Sequence, residues 1–212
     1  EEERKRQLMP PNRAILKGVK YEQVVTDFYA ELTGKRIIEF GSLPHKCPDL
    51  HFIAASPDGI TEDGIMIEIK CSYSRKLMGV PPLYYWCQIQ QQLQVTGLCE
   101  CDYVEAEIEE YDAGMNEFID DGGDCWYSDK TRKNRGLFIE VFGEKDPNKK
   151  YIYPTFEDKG KWSPLEWMEM KRKALREQNK VSMVYFWFIN RVFITRIYRN
   201  DAWWFKEGLP KL

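Results

Sequence analysis

Apolar and polar positions along this chain fall into two periods, one helical and one of strict alternation. Over residues 18–32, Val24, Val25, Phe28 and Leu32 recur at the spacing of a helical stripe, and Thr33-Gly34 supplies a stop. Residues 36–40 read as a short strand. Residues 51–56 read as a second, which ends at Pro57-Asp58-Gly59. Residues 65–70 alternate: Ile65, Ile67 and Ile69 leave one face of the strand, while Met66, Glu68 and Lys70 leave the other. The intervening Thr61-Glu62-Asp63-Gly64 has the composition of a hairpin turn. Pro81-Pro82 then opens a helix over residues 83–96, and Gly97 stops it.

The second half repeats the mixture. Residues 101–111 alternate as a strand with acidic outer positions, 112–135 read as an acidic, glycine-bearing surface loop, and 136–142 as another strand. Ser163-Pro164-Leu165-Glu166 is a helix start, with a Ser N-cap, Pro at the first helical position and Glu placed for a capping box. That helix is expected to run to about Asn179. Two aromatic-rich apolar stretches, 183–189 and 192–198, are joined by Asn190-Arg191 as a hairpin, and a closing helix begins near Asp201. The expectation is an α/β fold: a central mixed β-sheet flanked by helices, with a C-terminal β-hairpin and helix.

Composition narrows the function classes. The chain has 212 residues, 43% apolar and 14% aromatic, which suits a folded domain with a real core and excludes a disordered one. No apolar run reaches about 18 residues, so no membrane-spanning helix is expected. The first residues, Glu1 to Arg6, are charged and carry neither a Met start nor a signal peptide, as in a chain beginning inside a longer protein. Six cysteines without a CxxC pair point to reduced thiols in an intracellular protein; Cys99 and Cys101 are the only close pair, weak grounds for a metal site. A net charge of −3 is not that of a generic nucleic-acid binder. Yet the bases cluster, at Lys130, Arg132, Lys133 and Arg135 and again at Lys171, Arg172, Lys173 and Arg176. Each cluster is either a phosphate-binding surface or an ordinary solvated face.

One constellation carries chemistry. Phosphodiester hydrolysis needs a hard cation to neutralise phosphate charge and lower the pKa of the attacking water. Magnesium takes oxygen ligands, commonly one or two carboxylates with water and substrate. Asp58 ends one expected strand, Glu68 lies on the next across a short hairpin, and Lys70 leaves the same face as Glu68. Lys70 can orient the water or offset charge on the phosphate, and the Ile69 carbonyl between the two is placed to be a ligand. Glu-x-Lys recurs at Glu157 to Lys159 and at Glu169 to Lys171, read as a loop and a helix; only the copy at Glu68 sits on an alternating strand behind an Asp-Gly bend. The competing reading is a surface strand with a cross-strand ion pair, worth about 0.2–1 kcal/mol. His45 and His51 have no partner pattern and read as structural. Tyr84-Tyr85-Trp86 either stacks on bases or packs its helix on the sheet.

Ser56-Pro57-Asp58-Gly59, then Ile67-Glu68-Ile69-Lys70-Cys71, then the run from Gln88 to Thr96 resemble the successive motifs of the phage lambda exonuclease, or YqaJ-type viral recombinase, family of PD-(D/E)xK nucleases. Ser74-Arg75-Lys76, Pro81-Pro82 and the run from Tyr84 to Gln88 are similar to versions in large DNA viruses. The likeness runs from about Gly18 to Tyr111 and returns loosely from Asp201 to the end. It implies a restriction-endonuclease-like core, one nuclease domain over 1–212, with its core at 18–143 and an extension at 163–212. It further implies a Mg²⁺-dependent deoxyribonuclease with two ions per site, Mn²⁺ substituting, that digests double-stranded DNA ends 5′ to 3′ in recombination or repair.

In that family's terms Asp58 bridges the metals, Glu68 and the Ile69 carbonyl complete one of them, and Glu22 on the first helix lies near the second. Lys70 positions the water and Gln88 lies beside the catalytic centre. Arg75 and Lys76 either contact backbone phosphates or form a charged loop, and Ser56 either bonds a phosphate or caps the strand end. A single-strand annealing protein and a homotrimer are the implied partners, and the host cytoplasm or nucleus the implied location for a viral protein. One departure stands out: nothing before Gly18 matches the basic segment that meets the DNA end in lambda-type enzymes, which counts against the implied directionality and ring-shaped trimer. An endonuclease or structure-specific resolvase of the same superfamily, and a non-catalytic DNA-binding module, remain the alternatives.

Overall fold

The computed structural model describes residues 13–71, 76–122, 124–142 and 150–212. Helix α1 spans Arg13–Thr33 and is followed by the short strands β1 (Ile37–Ile38), β2 (Leu43–Pro44), β3 (Ala54–Ala55) and β4 (Gly59–Thr61). Strand β5 is Met66–Cys71, helix α2 Leu83–Thr96 and strand β6 Glu100–Glu110. Then come α3 (Met115–Asp120), β7 (Tyr127–Ser128), β8 (Lys133–Phe142), β9 (Lys150–Ile152), α4 (Phe156–Lys161) and α5 (Pro164–Glu177). Strand β10 is Val181–Tyr198, and α6 (Asp201–Trp203) begins a run of closing turns. This is the expected α/β fold with a mixed sheet flanked by helices. No helix among the described residues is long and apolar enough to cross a membrane.

The chain divides into two compact units, one of Glu1–Ala106 with Val192–Leu212 and the other Glu107–Arg191. In the first, β4 and β5 form an antiparallel hairpin with Gly59 opposite Ile67 and Ile60 opposite Met66. The turn expected at 61–64 closes it, with Gly64 at φ +86°, a conformation that favours glycine. Gly59 is required for a different reason, since a Cβ there would lie 2.5 Å from Ile37 Cγ2. Strand β5 then pairs with β6 in parallel, from Met66–Cys101 to Cys71–Ala106, and α2 is the crossover that a parallel pair demands. Helix α2 lies over the Met66 face, where Met66, Ile89, Leu93, Cys101, Tyr103 and Ile197 form a core. Each such fully buried apolar side chain stabilises the fold by roughly 1.5–3 kcal/mol.

Helix α1 packs on β5 and buries Tyr21, Val24, Val25 and Tyr29. The stripe read from the sequence is therefore shifted: Leu32 is exposed, and Tyr29 is drawn inward by a 2.5 Å hydrogen bond from its hydroxyl to Asp102. The strand expected at 51–56 shrinks to β3, which pairs with β2 in a separate two-stranded sheet. Backbone bonds Leu50 N to Cys47 O and Ile53 N to Leu50 O coil the chain just before it. The hairpin partner of β5 is thus β4, which begins one residue after Asp58.

In the second unit β10 pairs antiparallel with β8 from Val181–Phe142 to Phe188–Arg135. Leu137, Ile139, Val141 and Phe186 meet Trp167, Met168 and Leu175 of α5. The capping box at Ser163 forms as expected, and a second at Thr155 starts α4 where the sequence reading had a loop. Two further expectations fail. In place of a hairpin at Asn190-Arg191 there is one 18-residue strand. Asn190 donates to Glu107 and Glu109 at 2.9 and 2.7 Å and Arg191 donates to Glu107 at 2.8 Å, so the acids of β6 satisfy both residues in an extended chain. Nor is 112–135 only a loop. It contains α3 and β7 and closes on Arg135, which is 1% exposed and donates to the carbonyls of Phe118, Asp121, Gly122 and Cys125. Arg135 is thereby removed from any phosphate-binding surface.

Candidate active site

The β4–β5 hairpin and α2 together assemble the site within the first unit. The register that sets Gly59 opposite Ile67 brings Asp58, one residue earlier, level with Glu68. Asp58 Oδ2 accepts a 2.6 Å hydrogen bond from the Ile69 amide, which clips the carboxylate to β5. Alternation sends Glu68 toward α2, where it is 1% exposed. A carboxylate so enclosed needs partners, and it has three. Gln88 Nε2 donates to Oε1 at 2.8 Å, Gln92 Nε2 donates to Oε2 at 2.9 Å, and the Lys70 ammonium pairs with Oε1. Gln88 and Gln92 are four residues apart, one helical turn, so both amides reach the same strand residue. Lys70 also lies 5.0 Å from the Tyr85 ring centroid.

The electrostatics are unbalanced. Burial, and after it the neighbouring Glu68 charge, pushes the Asp58 carboxyl up to about 7; the Ile69 amide and Lys70 pull the other way without prevailing. Glu22, on the solvent side of α1, is also raised, first by partial burial and then by Glu68 and Glu39, against the attraction of Lys70. Burial works against the Lys70 ammonium, but Glu68 and Asp58 outweigh it and raise its pKa. When all are ionised, Asp58, Glu68 and Glu22 face a single ammonium.

These observations fit a hard divalent cation. Every donor present, the three carboxylates and the Ile69 carbonyl, is oxygen, and a divalent ion would relieve the repulsion that raises Asp58. As they stand, no three His, Cys, Asp or Glu side chains among the described residues are gathered as a ligand set. Lys70 and Gln88 both meet Glu68 Oε1 and Gln92 meets Oε2, so an entering ion would share the Glu68 carboxylate with these donors.

The structure thus brings together Asp58, Glu68, Ile69, Lys70 and Gln88, while Glu22 is exposed on α1 and couples to Glu68 and Lys70 through charge alone. Ser56 and Lys76 are exposed, and Arg75 lies outside the described residues. Gln92 was the residue missed. Its signal was present, one helical turn after Gln88 on the same face. Cys99 is exposed and Cys101 buried, and neither belongs to a metal-ligand cluster among the described residues.

Comparison with known proteins bears on this arrangement directly. Residues 4–99 match the YqaJ-like viral recombinase domain. This is the family that the sequence motifs resemble, and the YqaJ-like stretch contains every member of the site from Glu22 to Gln92. The chain is also 32% identical, over 236 residues, to an uncharacterized protein of Acanthamoeba polyphaga mimivirus. That likeness covers 95% of this chain, which spans only 42% of the viral protein's length. Among solved structures, LHK-Exo in complex with dAMP is 21% identical with a TM-score of 0.47, covering 92% of this chain and 62% of that one. The alkaline exonuclease LHK-Exo from Laribacter hongkongensis is 28% identical with a TM-score of 0.42, covering 54% and 58%.

Proposed function

We propose that this chain is a divalent-metal-dependent deoxyribonuclease of the YqaJ type, a double-stranded DNA exonuclease of viral recombination or repair that works 5′ to 3′. The observation that carries the reading is the pair of adjacent carboxylates, Asp58 raised to about 7 beside Glu68, with Lys70 on the same strand face and within a YqaJ-like stretch. Asp58, Glu68, the Ile69 carbonyl and Glu22 would hold Mg²⁺, with Mn²⁺ substituting and room in the donor set for two ions. The bound metal lowers the pKa of a water and neutralises phosphate charge. Lys70 holds the attacking water or offsets charge on the phosphoryl oxygens. Gln88 and Gln92 fix the orientation of the Glu68 carboxylate. Ser56, Arg75 and Lys76 grip backbone phosphates. The product is a single-stranded tail suited to an annealing protein. The single-domain reading over 1–212, the trimer and a host-cell location extend the same proposal.

The test uses end-labelled duplex and covalently closed circular DNA, each with Mg²⁺ and each with a chelator. Label release from the linear duplex, with the circle intact, is the expected result. Cutting of the circle would convert the reading to an endonuclease. Metal-independent retention of DNA without turnover would establish a non-catalytic binding module.

A further inference from the structure

A cavity of about 640 Å³ lies in the first unit between α2 and the closing C-terminal turns, lined by Ser56, Tyr84, Gln88, Gln91, Trp203 and Lys211 among others. Its size falls within the roughly 300–1,000 Å³ of small-molecule sites. Gln88 and Gln92 belong both to this cavity and to the hydrogen-bond shell of Glu68, so an occupant sits one side chain from the catalytic carboxylate. We infer that the cavity is a nucleobase subsite, holding one unpaired base of the strand being cut; this rests on the nuclease reading above.

Four features select a base. Tyr84 is 60% exposed although Tyr85 and Trp86, the next two residues, pack toward the core. Trp203 lines the same cavity as a second aromatic side chain, steadied edge-on by Trp86 at 4.8 Å between ring centroids. Aromatic faces stack on any base. The polar lining includes the amides of Gln88 and Gln91, groups that both donate and accept and so suit base edges without choosing among them. Two further polar atoms at this cavity, Gln92 Oε1 and Trp204 Nε1, are buried with no hydrogen-bond partner among the described residues, one an acceptor and one a donor. Among the described lining residues Lys211 is the one cation, and it pairs with the lining carboxylate Glu207 at 3.0 Å, so the cavity carries no net positive charge to favour a phosphate. A base inside a duplex is stacked and paired, so the occupant is one that has left the helix. Recognition of this kind is indifferent to sequence.

The experiment needs neither metal nor cleavage. In chelator, 2′-deoxyadenosine is titrated into the protein while tryptophan emission is followed. In a second arm a single-stranded oligonucleotide carries 2-aminopurine as its terminal base, because one base alone binds weakly. Saturable quenching in either arm is expected. Tyr84→Ala, at an exposed position that leaves the fold intact, should weaken binding roughly 5- to 100-fold, and Tyr84→Phe should restore it. Absence of a signal in both arms, or equal binding by Tyr84→Ala, overturns the subsite. Binding by a protein that cuts no DNA would leave the subsite standing and remove the nuclease reading. Cleavage that Tyr84→Ala leaves untouched, with no base binding, would do the reverse.

Discussion

Two aspartates, Asp58 in the first unit and Asp121 in the second, show what partners do to an enclosed carboxylate. Asp121 is 7% exposed. Desolvation alone would raise its pKa, but hydrogen bonds from Tyr111 and Ser128 at 2.7 Å each, with the Arg135 charge, hold it below the usual range. Asp58 has one backbone donor and a like charge beside it, and rises to about 7. The Asp121 network is saturated and braces α3 and the turn after it, with Arg135 binding four carbonyls around the same corner. The Asp58 network is short of positive charge. A saturated cluster stabilises a fold; an unsaturated one has capacity left for a ligand.

Breaking each network should therefore give opposite results. Arg135→Ala leaves Asp121 enclosed without its cation, and we expect a loss of about 3–5 kcal/mol in urea unfolding. Cleavage per folded molecule should change little. In the first unit, Asp58→Ala, Glu68→Ala and Lys70→Ala should each lower cleavage by at least roughly 10²- to 10³-fold, the size of loss when one preorganised contact to the transition state is removed. Asp58→Ala should leave metal-free stability unchanged or higher, since it removes a repulsion. If Arg135→Ala abolished cleavage in fully folded protein, or Asp58→Ala unfolded it, the division of labour drawn here would be wrong.

The same contrast predicts opposite pH limbs. The folded-state pKa of Asp58 is raised, so the folded chain holds that proton more tightly than the unfolded one. Its contribution to stability is complete below about 4 and is lost as pH rises through about 7. Asp121 is lowered, so its contribution is present above about 4 and is lost as pH falls through its folded value. Thermal unfolding of metal-free protein between pH 5 and 8 should show a decline that Asp58→Asn removes. Added Mg²⁺ should restore the wild type at the upper end. A flat profile for wild type over that range contradicts the raised Asp58.

How much of this was legible beforehand follows from range. Alternation placed Glu68 and Lys70 on one face because a strand's side chains obey a local two-residue period, and the capping box at Ser163 was readable because it is written in four residues. That β4, not residues 51–56, is the partner of β5 was not, because it depends on the coiled 47–53 segment and on Ile37 packing against Gly59. Asn190-Arg191 looked like a turn because its partners, Glu107 and Glu109, lie some 80 residues away in sequence. Arg135 looked like part of a basic surface for the same reason. Charge clusters in a sequence do not say which member is claimed by carbonyls from a distant loop.

That distinction yields the smallest and most specific expectation. Lys76 lies beyond β5 and is exposed, whereas Arg135 is buried and consumed in holding the fold. A lysine that contacts a backbone phosphate releases about one counterion on binding. Lys76→Ala should therefore weaken DNA binding to a similar extent for every sequence and reduce the slope of log affinity against log salt by about 1. Stability should stay within about 0.5 kcal/mol of wild type, as for an ordinary surface change. Removing Arg135 instead should leave the salt slope of the folded protein unchanged, because a guanidinium bound to four carbonyls displaces no ions from DNA. Equal slopes for wild type and Lys76→Ala would show that the phosphates are held by other residues.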